Sequence, residues 1–441
     1  MRLPVCTAVG CILGLAPLSP RLAAQEPPVE RAIVRAVDAR RDSAVALLER
    51  IVNRNSGTLN FAGVRAVGDA LRAELDALGF ATQWIDGAPF GRAGHLVARR
   101  GTRGPRVLLI GHLDTVFEPD GPFQRFERLD DSTARGPGVI DMKGGDVVIV
   151  EALRALRSAG VLDDLSIQVV MTGDEERAGQ PIAMARAALL DAAAWADIAL
   201  GFEDGAADYR TAVTARRGST SWELRVSGRS SHSSQVFRPD VGAGAVFEAA
   251  RILHRFYDAL STEPYLTFNP GVILGGTEVT WDNAQARGTA FGKTNVVAEH
   301  AIVTGDLRAL TPEQHARAKD RMLAIVGANL PHTAATLTFT ESYPPLAPSD
   351  GNRRLLALFD QVSRDLGFGP VVAVDPSRAG AADISFTAGL VHMALDGLGT
   401  GGADDHTVRE TIDLRTLPLQ AKRAAVLLHR LSRATPARPS P

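Results

Sequence analysis

Residues that bind metals or move protons recur in this chain wherever a short apolar run ends. His112 and Asp114 follow the run 107–110, Glu175 and Glu176 follow 167–171, and Glu203 follows 198–202, while Asp141 lies in the glycine-rich stretch 136–145. Imidazole nitrogens and carboxylate oxygens are the usual ligands of zinc where no thiolate is available. A carboxylate beyond those needed for binding can take a proton from a polarised water, and the pair Glu175-Glu176 offers one ligand and one base. Each residue alone has an ordinary reading: an Asp before a helix is commonly its cap, and paired Glu in a loop is commonly solvated. Their coincidence at successive strand ends points to one or two divalent metals.

The elements that must deliver these residues follow from periodicity. Apolar spacing of three and four predicts helices over 31–53 and over 61–78, the latter stopped by Gly79. Strand-length runs at 95–99, 107–110, 167–171 and 198–202 alternate with helical stretches at 144–158 and 181–190, and the last three runs are apolar almost throughout, as strands covered on both faces are. That alternation predicts an α/β fold with a mostly parallel sheet, whose strand ends build the binding crevice. After about 214 the pattern changes to strands at 220–227, 294–306 and 335–340 with helices at 241–259 and 312–329, an α+β insert. From 352 the first pattern returns: helices at 355–366 and 418–431, strands at 371–374 and 391–395. The expected organisation is a catalytic domain of 25–213 and 343–441, interrupted by a smaller lid or dimerisation domain at 214–342, with the proline-rich 343–348 as the crossing.

These motifs, in this order and with these intervals, resemble the metallo-exopeptidases and deacylases that include glutamate carboxypeptidase, acetylornithine deacetylase, succinyl-diaminopimelate desuccinylase and aminoacylase. The resemblance covers nearly the whole chain after residue 24. It implies that His112 and Glu203 bind one metal, Glu176 and His406 the other, and that Asp141 bridges them. Glu175 becomes the general base and Asp114 the partner that fixes the His112 tautomer. Of the late histidines, His429 lies among leucines and reads as structural, His392 sits in an apolar run and reads as a packed core residue, and His406 follows the glycine-rich 397–402, with Glu410 four residues beyond.

The insert supplies a second set through the same resemblance. His232, within Ser230-Ser231-His232-Ser233-Ser234, stands where the family has a histidine that polarises the scissile carbonyl, often from a partner subunit, although the commoner form is His-Ala-Gly. Asn295 and Arg308 resemble the binders of the substrate's oxyanion or carboxylate, and a guanidinium can grip a carboxylate with two hydrogen bonds. The implied enzyme is a two-metal hydrolase, with zinc first and cobalt or manganese as alternatives, cleaving the terminal amide of small peptides as a glutamate carboxypeptidase does. The alternatives are an N-acyl-amino-acid amidohydrolase and a binding protein without catalysis. A homodimer formed through the inserts is also implied.

Composition narrows the field further. Lys and Arg number 48 against 50 Asp and Glu, a formal charge of −2, which lacks the basic excess of a nucleic-acid binder. Residues 1–24 read as a signal peptide cleaved after Ala24, predicting a periplasmic or secreted protein. Both cysteines, Cys6 and Cys11, fall in that leader, and acylation at Cys11 is the less favoured reading because the apolar stretch before it is short. No later run reaches the roughly 20 apolar residues of a spanning helix. Neither Gly-x-Ser-x-Gly nor His-Glu-x-x-His occurs, which argues against an α/β-hydrolase or a helix-borne zinc protease.

Overall fold

The computed structural model describes residues 27–283 and 285–433, so the leader expected at 1–24 lies outside the described residues. A six-stranded sheet forms the centre, in the order Ala81–Asp86, Gly94–Arg100, Ser166–Thr172, Arg106–His112, Ile198–Gly201 and Met393–Leu395. Arg106–His112 runs parallel to both neighbours, and Met393–Leu395 runs parallel to Ile198–Gly201. Gly94–Arg100 pairs antiparallel on both sides. The apolar runs explain the centre: Ser166–Thr172 and Ile198–Gly201 are buried at every position, as strands with helices on both faces must be.

Helix Lys143–Ser158 packs on this sheet beneath Pro28–Asp38 and Thr416–Arg433, and is buried at nearly every residue from Lys143 to Leu156. The other face is covered by Ala187–Trp195 together with Ile384 and Phe386. Helix Phe61–Ala77 begins under an Asn60 side chain that accepts from the Gly63 N–H, and the chain turns at Gly79, whose φ of 78° is the left-handed conformation that glycine adopts without penalty.

The intervening residues build a second sheet, wholly antiparallel, in the order Thr267–Gly276, His300–Arg308, Ser219–Ser227 and Ala334–Tyr343. Helices Gly244–Leu260 and Pro312–Val326 cover one face around a separate core that includes Trp222, Phe256, Val303 and Met322. Burial alternates along Ser219–Ser227, the signature of a sheet covered on one side. The chain leaves and returns side by side, joined by reciprocal backbone hydrogen bonds of 3.0 Å between Arg216 and Leu346.

Several sequence expectations are corrected. The helix expected over 31–53 is two, Pro28–Asp38 and Arg41–Val52, and that over 181–190 is Ile182–Ala185 followed by Ala187–Trp195. The strand expected from 294 begins only at His300. Thr267–Gly276 was hidden by its Pro270 and glycines; it is an edge strand with a register shift between Pro270 and Val272, where proline costs no ladder bond. Asp141 lies at the entry to a helix, two residues before Lys143–Ser158, and not at a strand end as the other acidic ligands do. His392 is exposed, not packed in the core, because the edge strand starts one residue later. His429 is buried in the last helix.

Candidate metal centre

His112 arrives at the C-terminal end of the central strand, fully buried. Its Nε2 lies 3.1 Å from Asp141 Oδ1 and 3.5 Å from Glu203 Oε1. On the far side of Asp141, the Nε2 of His406 lies 2.9 Å from Oδ2 and 3.2 Å from Glu176 Oε2. Two triads result, His112-Asp141-Glu203 and Asp141-Glu176-His406, with the ligand atoms of each within 4.8 Å of one another, and Asp141 belongs to both.

Asp114 underlies this arrangement. His112 Nδ1 faces the Asp114 backbone carbonyl at 3.1 Å and its carboxylate at 3.5 Å. The carboxylate also accepts from the Glu175 and Glu176 N–H groups at 3.0 and 3.2 Å, and from Thr58 Oγ1 at 2.6 Å. Asp114 therefore orients the first histidine and the acidic pair together.

Distant segments are tied to the same point. Glu410 accepts from the N–H groups of Gly138, Ile140 and Asp141 at 3.1, 2.9 and 3.3 Å, fixing the turn that carries Asp141. The hairpin around His406 joins the same region, since Gly402–Ala403 pairs with Thr411–Asp413, which pairs with Thr133–Arg135. His406 itself has a φ of 58°, a left-handed conformation sparsely populated by non-glycine residues and held here by the hairpin. Asp396 accepts from the Glu203 N–H at 3.3 Å and from Arg216 Nε at 2.8 Å.

Behind the acidic pair lies a buried network. Arg186 donates to Asp174 Oδ1 at 2.6 Å, Asp383 Oδ1 at 2.8 Å and the Tyr343 hydroxyl at 2.6 Å. Sequence reasoning missed Arg186, Tyr343 and Asp383. The available signals were slight: a charged residue within a mostly apolar stretch, and a tyrosine opening a proline-rich crossing.

The electrostatics call for cations. Burial, followed by the charge of Asp141, pushes Glu176 up to about 7, and burial pushes Glu175 and Glu203 well above the usual carboxylate range. Hydrogen bonds to Asp141 and Glu176 raise His406 to about 11. Asp141 is the exception: burial opposes its ionisation, but hydrogen bonds from His112 and His406 hold it below the usual range. One oxygen of Glu176 is buried with no hydrogen-bond partner. Two imidazoles among carboxylates, sharing one bridging carboxylate and leaving a buried oxygen unused, form a donor set suited to a pair of divalent ions.

The centre opens into a cavity of about 360 Å³, lined by the acidic groups and His406 together with Val213, Val374 and the 378–382 segment. His232, Asn295 and Arg308 are not among its lining residues. His232 and Asn295 are exposed neighbours, joined where the Ser233 N–H donates to the Asn295 carbonyl at 2.8 Å, and Arg308 pairs with Asp306 at 2.8 Å.

Comparison with known proteins agrees with this geometry. The chain is 25% identical over 429 residues to carboxypeptidase G2 of Pseudomonas sp. (strain RS-16), covering 96% of this chain and 97% of that protein. It is also 25% identical over 395 residues to succinyl-diaminopimelate desuccinylase of Dechloromonas aromatica (strain RCB), covering 86% and 95%. Among solved structures, a tripeptidase of Staphylococcus aureus shares the fold with a TM-score of 0.68 at 20% identity, over 89% of this chain and 99% of that one. A dinuclear metal-binding peptidase of the M20 family from Bacillus subtilis does so with a TM-score of 0.63 at 14% identity, over 89% and 99%. Residues 108–430 match the description Peptidase family M20/M25/M40. The chain belongs to that family and is a hydrolytic enzyme of its metallopeptidase and deacylase class.

Proposed function

We propose that this protein is a di-metal exopeptidase that cleaves the terminal amide bond of small peptides in the manner of a glutamate carboxypeptidase. The observation that carries the reading is the sharing of Asp141 by two histidine-carboxylate triads with Glu175 alongside. His112, Asp141 and Glu203 would hold one ion, and Asp141, Glu176 and His406 the other; zinc suits this donor set, as do cobalt and manganese. When bound, the ions supply Lewis-acid polarisation of the carbonyl and a lowered water pKa.

The chain's own residues do the rest. Glu175 takes the water proton and passes it to the leaving amine, a role favoured by burial, which lifts its carboxyl well above the usual range. Asp114 holds the Glu175 and Glu176 N–H groups and the His112 ring in register. His232 and Asn295 would donate hydrogen bonds to the oxyanion, and Arg308 would hold a substrate carboxylate. Since these three lie on the insert and away from the cavity lining, they would act through movement of the insert, here taken as 214–342, or from the insert of a second copy in a homodimer.

The leader reading at 1–24 would deliver the enzyme to the periplasm or the exterior, to act on peptides there. Among the described residues no helix is long and apolar enough to cross a membrane. The deciding experiment is a hydrolysis screen of metal-replete protein on dipeptides, acyl-glutamates and N-acyl amino acids. Release of a C-terminal amino acid from peptides supports the proposal, preferential deacylation supports the amidohydrolase alternative, and inactivity on every compound favours a binding protein.

A further inference from the structure

The cavity beside the metal centre has an unusual charge distribution. Six carboxylate side chains face it, from Asp141, Glu175, Glu176, Glu203, Asp204 and Asp405. Two guanidinium groups also line the cavity, and they differ in kind. Arg216 is buried and committed, with Nε on Asp396 Oδ2 at 2.8 Å and Nη1 on the Gly380 carbonyl at 2.9 Å.

Arg378 is exposed at the cavity rim, and no described residue accepts a hydrogen bond from its guanidinium. Two acids that feel its charge, Asp208 and Asp375, are occupied elsewhere. Asp208 accepts from Arg210 Nε and Nη2, each at 2.9 Å. Asp375 accepts from the Ser377 N–H and hydroxyl at 2.8 and 2.6 Å. The backbone under Arg378 is set by a short turn, Pro376–Arg378, in which the Arg378 N–H donates to the Asp375 carbonyl at 2.9 Å. Its base is therefore fixed while its head is uncommitted, the arrangement of an anchor presented to a ligand.

We propose that Arg378 is a specificity-determining residue that binds a carboxylate of the substrate at the cavity rim, separate from the role given to Arg308 on the insert. A planar guanidinium matches a carboxylate bidentately, so such a contact discriminates between an anionic substrate and its neutral amide. The apolar patch of Val213, Val374 and Ala379 next to it would take the methylene part of the same substrate. The favoured substrates are thus amides whose amino-acid part carries a free carboxylate. The carboxylate gripped is either the terminal one or that of the side chain.

This inference rests on the hydrolase reading, and the experiment separates the two. Equilibrium binding of N-benzoylglutamate, N-benzoylglutamine and the α-carboxamide of N-benzoylglutamate is measured by calorimetry on metal-replete protein carrying Glu175→Gln, with and without Arg378→Gln or Arg378→Lys. The same three compounds are assayed for hydrolysis by protein retaining Glu175. The expected result is that N-benzoylglutamate binds at least about tenfold more tightly than one of its amides, that Arg378→Gln removes most of this gap, and that Arg378→Lys keeps part of it. The amide that shows the gap identifies which carboxylate Arg378 holds. A gap unchanged by Arg378→Gln, or no gap in the parent, overturns the proposal even if all three compounds are hydrolysed. An Arg378-dependent gap without hydrolysis overturns the proposed exopeptidase action on such amides and leaves the subsite standing.

Discussion

The hydroxyl of Tyr343 donates to the backbone carbonyl of Glu175 across 2.8 Å while accepting from Arg186. Tyr343 is the last residue of the second-sheet strand Ala334–Tyr343, so one phenol connects the return of the chain from that sheet to the loop of the candidate base. Tyr343→Phe should lower kcat about fivefold, the equivalent of one hydrogen bond at about 1 kcal/mol, with a smaller change in KM. Metal content by elemental analysis should be unchanged. A purely KM effect would show that the phenol does not position Glu175.

Glu175→Gln keeps the shape of the side chain and removes its basicity. Turnover should fall by about two to four orders of magnitude while the protein still takes up its metals. Paired measurement of kcat and bound metal checks this, and activity near that of the parent would remove Glu175 from the proton transfer.

Removing the metals should destabilise the fold as well as stop catalysis. Asp141, Glu176 and Glu203 converge at the site, and cations that bind only the folded state stabilise it by mass action, by about 2.7 kcal/mol at a hundredfold excess over Kd. Dialysis against a chelator should lower Tm, and zinc, cobalt or manganese should restore it. A Tm indifferent to chelation and re-addition would argue against tight sites in these triads.

Arg186→Met would leave Asp174 and Asp383 buried without their shared cation, at an expected cost of about 3–5 kcal/mol. Burial already raises the Asp174 carboxyl above the usual range with Arg186 present, and the loss of Arg186 raises it further. Carboxyls whose folded pKa exceeds the unfolded value favour the folded state at low pH, and that contribution disappears as pH rises through the folded value. The deficit of the variant should therefore be larger at pH 8 than at pH 5 in urea unfolding. An equal deficit at both values would mean that the network is not ionised as drawn.

Periodicity located most elements because burial imposes it: the unbroken apolar runs became the doubly covered strands at the centre, and Gly79 stopped its helix through a backbone angle that most other residues avoid. It failed where a local signal was diluted. Thr267–Gly276 carries proline and glycines that an edge position tolerates, and His392 lies just outside a three-residue strand whose neighbours misleadingly suggested a buried run.

By itself the sequence determined which residues carry ligand chemistry and that strand ends and their adjoining turns would present them, because donor type and hydrophobic period are properties of the chain. Only the tertiary structure decided that the His406 ring meets Asp141, far behind it in the chain, with Glu410 clamping the turn that carries Asp141. It likewise decided that Arg186 serves two acids and a phenol at once, and that Arg378 rather than Arg308 lines the cavity. Most of these relationships join segments more than a hundred residues apart, which no local spacing encodes.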